Sequence, residues 1–239
     1  MDLARLVDGK ASPELKRDLA NLRWLNRHFG AISLINNFLR RWFSNRNSKS
    51  APLHILDLAT GEGDLPREIV RWCRARSLAV VIDAVDLNAA TLAVAQERSV
   101  SFPEINFHQG DIRFWGESHR GSWDLIFCSL ALHHFSDEDA VILLRHIREL
   151  SFMNKDSHVL VADLERSLVG SFGIWILTTL LLREPMTVHD ARLSIRRAFS
   201  FQELRDLAVG AGWNNFSQRR FPVTRQALWM DSSADQAND

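Results

Sequence analysis

The chain has 239 residues, 46% of them hydrophobic, enough for one large α/β domain or two small ones and too apolar for a disordered segment. Twenty-nine Lys and Arg balance twenty-nine Asp and Glu, so no global field draws it onto nucleic acid or an anionic membrane. Cys73 and Cys128 form no CxxC pair, which leaves no zinc or redox set and fits reduced thiols in a cytoplasmic protein; tyrosine is absent, so acid–base work falls to His, Asp, Glu, Lys or Cys.

Met1 to Lys10 alternates charged with apolar residues and lacks the continuous apolar stretch of a secretory signal. Ser12 and Pro13 suit the N-cap and first position of a helix, and Leu15, Leu19, Leu22, Leu25 and Phe29 then recur at helical spacing. Gly30 should break this helix, and a second follows with Ile32, Ile35, Phe38, Leu39 and Trp42 on one side. The polar stretch Ser44 to Ser50 ends an N-terminal helical cap, residues 1–50.

Short apolar runs then alternate with helical patterns. The expected strands are Leu53–Leu58, Leu78–Val85, Ile105–His108, Trp123–Cys128 and Val159–Ala162; the helices between them are Leu65–Arg76, Ala89–Arg98 and Asp137–Leu150, the last opened by Ser136 with Asp139 three residues on. Strand and helix in alternation require crossovers, and crossovers give a doubly wound, mostly parallel sheet covered on both faces. Ser200 with Glu203 opens a further capped helix, and strands Asn215–Phe221 and Gln226–Met230 follow, before a polar tail, 232–239. The low-charge run Leu168 to Leu182 is shorter than the roughly 20 residues of a bilayer crossing. It reads as a buried helix or pocket lid, within an insertion at 164–199, rather than a stable membrane segment.

Strand Leu53–Leu58 carries Asp57 near its end and runs into Ala59-Thr60-Gly61-Glu62-Gly63-Asp64, a glycine turn leading into a helix. Ligands of open parallel sheets sit beyond the carboxyl ends of the strands, and Gly61 and Gly63 permit close backbone approach there. A pyrophosphate site is disfavoured by Asp57, Glu62 and Asp64, and a P-loop is excluded because no Gly-Lys-Ser/Thr follows. Acids here suit a cationic ligand or one rich in hydroxyl and amine donors. Asp86 ends the second strand, near the offset at which a carboxylate reaches ribose hydroxyls, and Asp111 follows the third strand at the same edge.

Leu56-Asp57-Leu58-Ala59-Thr60-Gly61-Glu62-Gly63, Val85-Asp86-Leu87, Gly110-Asp111-Ile112 and Trp123-Asp124-Leu125-Ile126-Phe127 resemble the successive motifs of class I S-adenosylmethionine-dependent methyltransferases. The resemblance covers roughly residues 53 to 163 and departs at Ala59, where the family usually has its first glycine. It implies a Rossmann-like single domain with a seven-stranded sheet whose last strand is antiparallel. It also implies S-adenosylmethionine as cofactor: Asp57 by the amino acid end, Ala59, Gly61 and Gly63 along methionine and ribose, Asp86 with Leu87 at the ribose, Asp111 and Ile112 at adenine, and Ser129 completing the set.

Ser129-Leu130-Ala131-Leu132-His133-His134 places two imidazoles after strand four, beside the expected methyl position. His133, then His134, are candidate bases, each with the alternative of simply bonding its own loop. Within 164–199, Phe172 and Trp175 are candidates for an apolar acceptor pocket, and His189 and Arg196 for polar anchors. This stretch is similar to methyltransferases of polyketide and quinone-type biosynthesis, which implies a small hydrophobic acceptor, with oxygen favoured over carbon as nucleophile. A methyltransferase-like accessory protein without turnover is the alternative. Arg67, Arg71, Arg74 and Arg76 read as a solvated helix face, and no nucleic-acid partner is expected.

Overall fold

The computed structural model describes residues 6–7, 10–47, 50–118, 121–166 and 193–231. Two short strands, β1 (Leu6–Val7) and β2 (Lys10–Ala11), pair antiparallel ahead of α1 (Pro13–His28) and α2 (Ala31–Phe43). Ser12 caps α1 by accepting from the Leu15 N–H, and Gly30, at φ 90°, turns the chain into α2. The core then runs β3 (Leu53–Leu58), α3 (Asp64–Arg74), β4 (Val80–Asp86), α4 (Ala89–Arg98), β5 (Ile105–Gln109), α5 (Trp115–Ser118) and β6 (Leu125–Ser129). A 3-10 turn (Leu132–His134), α6 (Asp137–Ser151), β7 (His158–Leu164), a helical turn at 193–197, α7 (Phe201–Gly210), β8 (Ser217–Phe221) and β9 (Arg225–Met230) complete it.

The order across the seven-stranded sheet is β5-β4-β3-β6-β7-β9-β8. β3 to β7 pair in parallel, whereas β9, last in the chain, runs antiparallel to both of its neighbours. The chain winds outward from β3 to β5 and returns to β6 on the other side of β3. That reversal opens a crevice at the carboxyl ends of β3 and β6, where open α/β sheets bind ligands.

Strand alternation fills both faces: Leu53 and Ile55 pack with α2 and α3, while Leu56 and Leu58 pack with α6 and α7. α1 stands apart, its Leu15 and Leu19 on Ala90 and Val94 of α4, which sets it above the crevice. The expected capping box at Ser200 and Glu203 forms in full, and the Ser136 hydroxyl accepts from the Asp139 N–H. Arg67 departs from the expectation of a solvated face: it is 5% exposed and donates to the Glu62 carbonyl and the Ser99 hydroxyl, whereas Arg71 and Arg74 are half-exposed and pair with Glu68 and Glu104. Among the described residues no helix is long and apolar enough to cross a membrane.

Candidate active site

The turn after β3 is unusual in its backbone. Ala59, Gly61 and Gly63 all lie at positive φ, 65°, 57° and 72°. Left-handed backbone costs an alanine about 1–2 kcal/mol that a glycine at position 59 would not incur. The two glycines differ in what surrounds them. A Cβ on Gly63 would meet the Phe107 ring at 3.1 Å and Arg67 Nη1 at 3.3 Å, so the turn packs tightly there. A Cβ on Gly61 would meet nothing within 4 Å, although Gly61 lines the main cavity. Gly63→Ala should therefore destabilise the fold by about 1–3 kcal/mol. Gly61→Ala should add to the fold only the left-handed strain, about 1–2 kcal/mol, but bind S-adenosylhomocysteine at least about tenfold more weakly, because its methyl projects into the open space of the cavity. Thermal melts and calorimetry of the pair check this contrast.

Asp86, at the tip of β4, holds the turn in place: one carboxylate oxygen accepts from the Gly61 N–H at 2.8 Å, the other from the Asn88 N–H at 2.9 Å. Each oxygen retains a lone pair for a ligand hydroxyl. Asp57 is buried at the base of the crevice, its Oδ2 without a partner, as is the nearby Thr60 hydroxyl. Burial pushes the Asp57 carboxyl well above the usual range, and Asp64 and Asp86 add to this; burial likewise raises Asp86 and Asp64. Carboxylates held so high favour a ligand that brings positive charge.

Glu62, at the cavity wall, is tied to the protein's own cations. It is buried among three guanidiniums, with Arg23 Nη1 at 3.1 Å, Arg67 Nη2 at 3.7 Å and Arg98 in contact. Asp64 accepts from Asn26 Nδ2 at 3.0 Å. α1 is thus fastened over the turn through Arg23 and Asn26, and its Leu19, Leu22 and Leu25, with Phe29 just past its end, line the cavity.

Asp163, in β7, accepts from His133 Nδ1 at 2.6 Å and from the His133 backbone N–H at 2.9 Å; the two side chains are 2% and 4% exposed. Burial alone would raise the Asp163 carboxyl, yet the imidazole charge and the hydrogen bonds from His133 and Leu164 hold it below the usual range. Nδ1 is engaged by Asp163, which leaves Nε2 as the ring nitrogen outside that pair, on a ring that lines the cavity. The His134 ring sits 4.2 Å from that of His133 with its outer side exposed. Desolvation, then the neighbouring imidazole, lowers it to about 4, a poor proton acceptor.

These groups share one cavity of about 510 Å³, lined by Asp57, Ala59, Thr60, Gly61, Asp86, Ser129, His133 and His134. Other expected residues stand differently. Leu87 is exposed and Ile112 is buried, and Asp111 forms a bidentate pair with Arg113, which also bonds Asp139. Arg196 is exposed while its neighbour Arg197 lines the cavity. Phe172, Trp175 and His189 lie outside the described residues. Asp163, Asn26 and Arg225 escaped sequence reasoning. Only the polar Arg23 and Asn26 in an otherwise amphipathic α1 hinted at the helix's second role.

Residues 55–151 match the family model of a methyltransferase domain. A malonyl-[acyl-carrier protein] O-methyltransferase of Halalkalibacterium halodurans is 42% identical over 67 residues, 28% of this chain and only 23% of that protein. The plantazolicin methyltransferase BamL, solved with a triazolic desmethylPZN analog and SAH, superposes with a TM-score of 0.67 at 16% identity, covering 92% of each chain. Human N-acetylserotonin methyltransferase with SAM gives 0.62 at 16% identity, covering 92% of this chain and 56% of that one. Magnesium protoporphyrin IX methyltransferase from Synechocystis with SAH gives 0.57 at 16% identity, covering 95% and 90%. The donor set fits that cofactor: unpartnered oxygens on Asp57 and Thr60, open space at Gly61, and free lone pairs on Asp86. Residues 55–151 are thus a methyltransferase domain, in a chain whose fold is that of methyltransferases solved with S-adenosylmethionine or S-adenosylhomocysteine.

Proposed function

We propose that the protein transfers a methyl group from S-adenosylmethionine to a hydroxyl of a small, largely apolar acceptor, phenolic, quinone-like or polyketide, in the cytoplasm. The observation that carries this reading is the single cavity: carboxylates and a glycine turn at β3 and β4, a buried His133–Asp163 pair two strands on, and an apolar roof from α1. Asp86 would hold the ribose and Asp57 the cationic amino acid end. When bound, S-adenosylmethionine supplies a methyl made electrophilic by its sulfonium, with the carbon–sulfur electrons remaining on sulfur.

His133 takes the proton of the acceptor hydroxyl at Nε2, and Asp163 compensates the imidazolium that results. Buried as both are, this compensation is felt strongly, since little water screens it. The α1 roof excludes water and orients the acceptor. The test is calorimetric binding of S-adenosylmethionine and S-adenosylhomocysteine, then methyl transfer to phenolic, quinol and polyketide panels. Binding with O-methylated product is expected; absence of cofactor binding overturns the reading, and a product methylated on carbon overturns the assignment to oxygen.

A further inference from the structure

Arg225 opens β9 and pairs in register with Leu164, so it stands at the same sheet edge as the cavity that it lines. Its side chain is 5% exposed. Nε donates to the Phe29 carbonyl at 2.6 Å, closing the end of α1. Among the described residues the two terminal nitrogens make no hydrogen bond, and no carboxylate lies within ion-pair distance. The nearest acids by their electrostatic effect, Asp163 and Asp64, are engaged by His133 and Asn26. A buried guanidinium with its fork left open presents two parallel donors that match a carboxylate.

The sheet order says which molecule brings that carboxylate. Asp86 is on β4 and the glycine turn follows β3; β6 and β7 intervene before β9. At about 4.8 Å per strand, Arg225 is ~14 Å across the edge from β3 and ~19 Å from β4. His133 and Asp163 lie between. Along the sheet edge, the proposed nucleoside residues of β3 and β4 thus lie on one side of His133 and Asp163, and the strand of Arg225 lies on the other.

We infer that Arg225 anchors a carboxylate of the methyl acceptor, making the acceptor an acid with an apolar body rather than a neutral molecule. This rests on the methyltransferase function proposed above. Burial holds the guanidinium at about 10, below its ordinary value, so it remains charged at neutral pH.

The experiment uses the full chain saturated with S-adenosylhomocysteine, with 4-hydroxybenzoate and its methyl ester as probes in calorimetry. The acid should bind about 10- to 100-fold more tightly than the ester. Arg225→Met should remove that preference, and Arg225→Lys, which keeps the charge but loses the fork, should retain part of it. Affinity for S-adenosylhomocysteine should be unchanged in both. No preference for the acid in the unaltered protein, including no binding of either probe, overturns the inference. So does a loss of S-adenosylhomocysteine affinity in both variants, which would assign Arg225 to the cofactor's own carboxylate. Failure of the unaltered protein to bind S-adenosylhomocysteine would instead remove the methyltransferase reading itself. Should Arg225→Met unfold through loss of the Phe29 contact, the acid–ester comparison in the unaltered protein and Arg225→Lys still decide.

Discussion

His133→Ala lowers turnover about 10²- to 10⁴-fold and leaves S-adenosylhomocysteine affinity within about twofold. The size follows from the loss of a positioned proton acceptor, and the selectivity follows from placement. His133 sits in the 3-10 turn after β6, while the nucleoside contacts proposed above are at β3 and β4. Asp163→Asn provides the companion measurement. The amide keeps the shape of the carboxylate but cannot both accept from Nδ1 and neutralise an imidazolium, so turnover falls by a similar factor with the fold intact. Steady-state rates on the acceptor found in the panel, alongside cofactor titrations, decide the matter: a His133→Ala variant as active as the parent returns the residue to a loop-bonding role.

Asp86→Ala weakens S-adenosylhomocysteine binding by about 1–3 kcal/mol, roughly 5- to 150-fold. Two losses combine, the ribose hydroxyl bonds and the tie from the carboxylate to the Gly61 N–H. They separate with a cofactor analogue lacking the ribose hydroxyls. The unaltered protein should bind that analogue far less well than S-adenosylhomocysteine, whereas Asp86→Ala should not distinguish the two. Equal discrimination by both proteins would move the ribose away from β4.

The strands and helices of the core were legible because their signals are local. β3 and α4 have the bounds that the apolar runs and helical spacing specify; Ser12, Ser136 and Ser200 mark helix starts by side chains that bond the next few residues, and Gly30 marks one by its left-handed backbone. Asp57 and Asp86 were legible for the same reason, each sitting at the end of a recognisable strand. What the sequence withheld depends on partners far along the chain. Asp163 and His133 are thirty residues apart, and Arg225 reaches Phe29 across 196. Neither pairing leaves a period or a spacing to detect. In the sequence Glu62 reads only as one of the acids of the turn; the burial of Arg67 and the approach of Arg23 and Arg98 around it are decided by helix packing.

That knot of one carboxylate and three guanidiniums constrains how the protein can diverge. Arg23 belongs to α1, Arg67 to α3 and Arg98 to α4, so losing Glu62 would strand like charges from separate helices against one another. A lineage that adopts a new first helix to admit a different acceptor must change position 62 with it, and position 62 should covary with position 23 among relatives.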